Sequence, residues 1–242
     1  MRLDQYLVEI QIYPTRNRAQ EAIKQGLISV NGKIVRKGSV DVSTKDHIEN
    51  GEIGYVSRSG TKLAEALAHH PFAIDGKTVL DLGASTGVFT QVALQQGARH
   101  VFAVDVGTLQ LEESLRRDPR VVSMENTDAR NLHASSFDRH IDLLLMDVSF
   151  ISGRKILASI LPVLKPPFYA FVLIKPQFEV GLAYIGANGI VKNPRAIETM
   201  LDEYRFFLRS YGVRIHDIFP CGFKGKEGNT EYFVVFEKTQ DV

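Results

Sequence analysis

Beyond residue 76 the chain repeats one unit, a short aliphatic run that breaks off at a glycine or a charged residue. "KTVLDLGASTGVFTQVALQQG" reads as a strand, a glycine-containing turn and a helix from about Gly87. "HVFAVDVG" is a second buried strand ending in an acid, and "RVVSMENTDARNL" holds a third. "IDLLLMDVSF" is a fourth, again ending in an acid. "KILASILPVL" has helical spacing, "YAFVLIKP" is a fifth strand and "EYFVVFE" is the last. Strands that alternate with helices predict an α/β fold with a doubly wound, parallel, Rossmann-like sheet. Such a sheet binds its ligand outside the carboxyl ends of its strands, so the residues at those ends are the candidates for function.

The first fifty residues follow a different pattern. Leu3, Leu7 and Ile10 sit at helical spacing, and Ala19, Ala22 and Ile23 mark a second short helix that Gly26 ends. "LISVNGKIV" is then a hairpin around Asn31-Gly32, the turn pair that best matches strand twist. The expected organisation is a small α/β domain over residues 1–52, a linker over 53–58 and a larger domain over 59–242. The chain's net charge of +1 names no partner. Its distribution says more, because residues 1–37 hold seven basic side chains against three acidic ones. A solvated basic face is the plain account of that excess.

Other classes are disfavoured. Cys221 is the only cysteine, which fits a reducing cytoplasm. The amino terminus has no signal-peptide core. The most apolar stretch, Ile156 to Ile174, is interrupted by Pro162, Lys165, Pro166 and Pro167, so it does not read as a membrane span. No metal-ligand cluster stands out. His69 and His70 are neighbours, point apart on a helix and read as structural.

The turn Gly83-Ala84-Ser85-Thr86-Gly87 lacks the G-x-G-x-x-G spacing that seats a pyrophosphate on a helix. Asp81 lies at the strand end beside it. An anion there repels a pyrophosphate but suits a ligand carrying an ammonium and a sulfonium, which favours S-adenosylmethionine over NAD. Asp105, ending the next strand, is placed to accept from ribose hydroxyls. Asp128 is either an acceptor for the adenine amino group or a plain turn residue. A lysine at the exit of a buried strand, Lys175, is costly unless something compensates its charge.

Several stretches resemble known families. "RLDQYLV" and "TRNRAQEAIKQGLISVNGKIVRKGSVDV" resemble the S4 RNA-binding domain, which implies that Arg2, Arg16, Arg18, Lys24, Lys33 and Lys37 meet RNA phosphates. Over about residues 56–242 the chain resembles the FtsJ-like ribose 2′-O-methyltransferases, whose site is a Lys-Asp-Lys-Glu tetrad, and "YVSRSGTKL", "MDVSFIS", "IKPQFEVG" and "GNTEYF" resemble the TlyA family named below. Carried over, the tetrad is Lys62, Asp147, Lys175 and Glu231. The two together resemble the TlyA family of rRNA cytidine 2′-O-methyltransferases, once called haemolysin A. Ser59 and Val88 stand where that family has glycine, and Thr108 where it has tyrosine. The resemblance implies S-adenosylmethionine as cofactor and rRNA as substrate. The ends of the chain match the shorter type, associated with the large ribosomal subunit. A cytoplasmic monomer is expected. In that chemistry Lys175 is either the base for a ribose hydroxyl or the donor that steers it. Asp147 would orient Lys175, and Glu231 would hold Lys62. The competing expectations are a non-catalytic RNA-binding or ribosome-assembly factor, a methyltransferase for bases or proteins, and a membrane-lytic protein.

Overall fold

The computed structural model describes residues 1–10, 12–13, 15–44, 46–50, 58–186, 188–225 and 227–240. The chain divides into two compact units, Met1–Tyr55 and Val56–Val242. The expected linker at 53–58 lies, apart from residue 58, outside the described residues.

In the first unit, helix α1 spans Leu3–Glu9 and α2 spans Arg16–Gln25. The Thr15 side chain accepts from the Arg18 N–H to start α2, and Gly26 ends it in the left-handed region at φ 77°. Strands β1 (Ile28–Val30) and β2 (Lys33–Ile34) form the expected antiparallel hairpin. Asn31 and Gly32, at φ 53° and 76°, supply its two left-handed turn positions. A third strand, β3 (Ile48–Asn50), pairs antiparallel with the other side of β1. Leu3, Leu7, Ala19, Ile23 and Ile28 are fully buried and form the core of this unit. Each large aliphatic side chain there contributes about 2 kcal/mol by leaving water.

The second unit opens with α3 (Arg58–His69) and β4 (Thr78–Leu82). It continues through α4 (Val88–Gln95), β5 (His100–Val104), α5 (Glu113–Arg116), β6 (Val121–Met124) and β7 (Leu143–Met146). Then come α6 (Gly153–Ile160), β8 (Phe168–Ile174), α7 (Pro194–Ser210), β9 (Arg214–Pro220) and β10 (Tyr232–Lys238). The sheet order is β6-β5-β4-β7-β8-β10-β9. The five strands β4 to β8 are parallel, as expected, and the aliphatic runs of β4, β5, β7 and β8 are buried on both faces, while β6 lies at the sheet edge and is only partly buried. The last two strands are not: β10 runs antiparallel to both β8 and β9. The chain winds outward from β4 to β6 and then returns to the other side of β4 as β7. That reversal opens a crevice at the exits of β4 and β7.

His69 lies 3.0 Å from Asp217 of β9, and His70 reaches the Tyr169 hydroxyl of β8. The pair thus fastens the end of α3 to the sheet, the structural role expected of it. Cys221 and Val88 are buried. Among the described residues, no helix is long and apolar enough to cross a membrane.

Candidate active site

The parallel register brings three carboxylates to the crevice. Leu82 of β4 is level with Val104 of β5 and with Met146 of β7. Asp105 and Asp147 are therefore the first residues beyond the sheet on either side of Gly83. The Gly83 N–H donates to the Val104 carbonyl and the Asp147 N–H to the Leu82 carbonyl, which fixes both exits.

Asp81 is fully buried. Its Oδ2 accepts from the Thr90 hydroxyl at 2.6 Å, while its Oδ1 has no hydrogen-bond partner. Burial, opposed by the Thr90 bond and reinforced by Asp147 and Asp105, pushes its carboxyl up to about 7. A buried acceptor without a donor is costly in a finished structure. It fits a cationic group such as the ammonium of S-adenosylmethionine.

The glycine turn does more for the protein than its sequence suggests. Gly83 sits at φ 79°, and a Cβ there would lie 2.6 Å from the Asp147 carbonyl oxygen. Gly87, at φ 91°, would place a Cβ 2.4 Å from the end of the Leu115 side chain. Both glycines are needed by the fold itself, so their presence alone does not identify a ligand. Ser85 is left-handed as well, at φ 49°, and its N–H donates to Asp105 Oδ2 at 2.8 Å. The other oxygen of Asp105 accepts from the Gly107 N–H at 2.7 Å. Asp105 thereby shapes the turn, and each oxygen keeps a lone pair for a hydroxyl. Ala84 donates to the Val104 carbonyl, and the Thr86 carbonyl accepts from Glu112. Asp128 follows β6 in a local turn. It caps a short 3₁₀ turn at Ala129–Asn131, and both its oxygens are held by the Arg130 guanidinium, at 3.0 and 2.5 Å.

The tetrad is assembled as two ion pairs. Lys62 stands on the buried face of α3 with Leu63 and Ala66, and its Nζ lies 2.6 Å from Glu231 Oε2. Both members are almost wholly buried. Gly225 packs against this carboxylate so closely that a Cβ there would lie 2.3 Å from Oε1. Lys175 Nζ lies 2.5 Å from Asp147 Oδ1, and this pair stays partly open, at 12% and 15% side-chain exposure. The same Nζ donates to the Ser149 hydroxyl at 2.8 Å. Ser149 is a contact that sequence reasoning missed. Tyr232 is level with Ile174 in the antiparallel β8–β10 pairing. One step further along that register, Glu231 falls opposite Lys175. All four residues therefore stand at one end of the sheet. Among the described residues, no group of three or more His, Cys, Asp or Glu side chains is placed to hold a metal ion.

In the first unit, Arg18, Lys24, Lys33 and Lys37 are exposed. Arg2 and Arg16 are partly committed elsewhere. Asp4 is fully buried, and its carboxylate accepts from Arg2 at 3.0 Å, Arg16 at 3.0 Å and Gln20 at 2.6 Å. The Arg2 guanidinium, with Gln20 and Arg16, holds Asp4 well below the usual carboxylate range against the opposing effect of burial.

Comparison with known proteins agrees with this geometry. Residues 55–238 match the FtsJ-like methyltransferase model and residues 1–48 the S4 domain. The chain is 36% identical to the 16S/23S rRNA (cytidine-2′-O)-methyltransferase TlyA of Mycobacterium tuberculosis, over 96% of this chain and 88% of that protein. It is 33% identical to the 23S rRNA (cytidine-2′-O)-methyltransferase TlyA of Campylobacter jejuni, over 98% of this chain and 100% of that protein. A solved structure from Streptococcus thermophilus that bears the hemolysin name superposes with a TM-score of 0.77 at 35% identity. It covers 100% of this chain and 89% of that one. With an S4 domain ahead of an FtsJ-like domain and relatives of this identity along nearly its whole length, the chain belongs to the TlyA family of methyltransferases.

Proposed function

We propose that the protein uses S-adenosylmethionine to methylate the ribose 2′-hydroxyl of a cytidine in rRNA, with the large-subunit rRNA as its target. The observation that carries this reading is the pair of lysine–carboxylate contacts, Lys62–Glu231 and Lys175–Asp147, at one end of the sheet. Asp81, Gly83, Ala84, Ser85, Thr86, Gly87 and Asp105 are proposed to hold the cofactor. When bound, it supplies an activated methyl group on a sulfonium. Asp81 would hold its ammonium, and Asp105 would accept from its ribose hydroxyls.

The chain's own residues do the rest. Lys175 presents its Nζ to the 2′-hydroxyl, and Asp147 and Ser149 fix the direction of that amine. The hydroxyl proton passes to the Lys175–Asp147 pair as the methyl group transfers. The buried Lys62–Glu231 pair supports the site from the α3 side without adding net charge. Holding the hydroxyl in one orientation supplies much of the rate. Arg18, Lys24, Lys33 and Lys37, together with the open parts of Arg2 and Arg16, are proposed to meet rRNA phosphates. We further propose that the protein acts as a monomer in the cytoplasm, with its domains at 1–52 and 59–242.

The test is product analysis. Purified protein, isotopically labelled cofactor and large-subunit rRNA should yield 2′-O-methylcytidine on nuclease digestion. A base-methylated nucleotide would move the chemistry to another acceptor. No transfer to any rRNA or ribosomal subunit would favour a non-catalytic RNA-binding factor.

A further inference from the structure

Glu179 belongs to none of the roles above, yet its side chain is only 2% exposed. It sits four residues beyond Lys175, after the 3₁₀ turn Pro176–Phe178. Its carboxylate gathers donors from two other elements. Oε1 accepts from the Gly153 N–H at the start of α6 and from the Tyr204 hydroxyl of α7, both at 2.6 Å. Oε2 accepts from the Ser152 hydroxyl at 2.7 Å and from Arg154 Nε at 3.4 Å. Tyr204 is itself fully buried. The Tyr204 hydroxyl and Met146 Cε close on Gly153, where a Cβ would lie 2.6 Å and 2.9 Å from them.

These bonds complete a series. The loop leaving β7 and the loop leaving β8 run side by side and touch at each stage. Lys175 meets Asp147 and Ser149. Next, the Phe178 ring packs on Phe150, with centroids 5.4 Å apart. Phe150 holds a left-handed φ of 64° and is itself largely exposed, so this stage is a surface contact between the two loops. Last comes Glu179, which grips Ser152 and Gly153. The reacting pair is thus at one end of the paired loops, and a buried, multiply bonded carboxylate closes the other.

We infer that Glu179 is a positioning residue: by clamping the β8 exit loop to the start of α6, it sets the placement of Lys175 against Asp147. This inference rests on the proposed role of Lys175 and Asp147 in methyl transfer. The clamp has no contact with the glycine turn, so it should affect turnover and not cofactor binding. Glu179→Gln keeps the shape but replaces one acceptor oxygen with a donor, facing N–H and O–H groups that need an acceptor.

The experiment measures kcat at saturating cofactor and rRNA, together with calorimetric affinity and stoichiometry for S-adenosylmethionine. Glu179→Gln should lower kcat per cofactor-binding site at least about tenfold, the scale expected when a reacting group is displaced by a fraction of an ångström. Cofactor affinity should stay within about twofold of wild type. A purely architectural role would lower the melting temperature and the fraction of binding-competent protein, leaving kcat per site unchanged, and that result would overturn the inference. Tyr204→Phe and Ser152→Ala each remove one donor and keep the carboxylate, so they serve if Glu179→Gln does not fold. Each should cost about threefold in kcat, the scale of one hydrogen bond, and unchanged turnover in both would overturn the inference equally. Wild type and Lys175→Ala run alongside. If wild type transfers no methyl group, or Lys175→Ala is as fast as wild type, the proposed function fails. If those two behave as expected and the clamp variants keep their kcat, only the role of Glu179 fails.

Discussion

The two units each bury one aspartate completely, and they treat it in opposite ways. Asp4 in the first unit is surrounded by Arg2, Arg16 and Gln20, and its carboxylate is held far down the pH scale. Asp81 in the second unit accepts from Thr90 and has one oxygen with no hydrogen-bond partner, and burial raises it to about 7. The first is a finished structural element, whose charge is already matched within the fold. The second leaves one oxygen unmatched within the fold, and we propose that a cationic ligand matches it. Both positions read as "acid beside aliphatic residues" in the sequence, and only their partners separate structure from function.

The sharpest way to break this contrast is to neutralise each aspartate without changing its shape. Asp81→Asn should reduce S-adenosylmethionine affinity by about 30-fold, the scale of a charge-assisted hydrogen bond, in titration calorimetry at pH 8. It should not lower the thermal stability of the free protein, because the orphaned acceptor loses its charge. Asp4→Asn should do the reverse. It should leave cofactor affinity intact and lower the unfolding temperature of the first unit by about 10 °C, because two arginines lose their buried counter-charge. Equal effects of both variants on either quantity would erase the distinction.

The pH dependence sharpens it further. The folded-state value of Asp81 is raised, so its stabilising contribution is complete in acid and is lost as pH rises through about 7. Asp4 is depressed, so its contribution is present above the ordinary aspartate value and is lost only as pH falls through its low folded value. A cationic ligand facing Asp81 requires the ionised form. Cofactor affinity should therefore rise about tenfold between pH 6 and pH 8 in the wild type, and Asp81→Asn should flatten that rise. A flat wild-type profile would place the ammonium elsewhere.

The smallest effect belongs to the basic surface of the first unit. Exchanging Lys24, Lys33 and Lys37 for Ala should weaken rRNA binding and reduce the slope of log affinity against log salt by about 0.7 for each phosphate that is no longer neutralised. Unfolding temperature should not change. Arg16→Ala should weaken binding and destabilise the unit together, because its guanidinium also serves Asp4. Stability loss in the triple lysine variant would assign those lysines to the fold.

Much of the second unit is legible in its sequence because parallel strands are buried on both faces. Their aliphatic runs end abruptly where the chain meets the crevice, and that is where Asp81, Asp105, Asp147 and Lys175 stand. The Asn31-Gly32 hairpin is legible for a different reason, since few residue pairs adopt two successive left-handed positions. What escapes is either weakly patterned or held by distant contacts. β9 reads "RIHDIFP", an edge strand whose polar residues blur any alternation, and β3 is three residues long. α7 has clear caps in Asn193 and Pro194, a signal that could have been used. Ser149, Glu179 and the pairing of Asp4 with Arg16 depend on groups that only the folded chain brings together. Gly83 shows the converse error. Its presence is predicted by a ligand site, yet the Asp147 carbonyl alone requires it.

The central claim is that the Lys175–Asp147 pair at the exit of β7 and β8 carries methyl transfer to a ribose hydroxyl. The most direct measurement is the single-turnover rate of 2′-O-methylcytidine formation on large-subunit rRNA by Lys175→Ala, with cofactor and RNA affinities measured on the same preparation. The expected result is a loss of at least about 10²-fold in rate with both affinities retained, the low end for a positioned acid–base group. A rate within about twofold of wild type, far short of that loss, would contradict the claim and return Lys175 to the status of a partly exposed lysine paired with a neighbouring carboxylate.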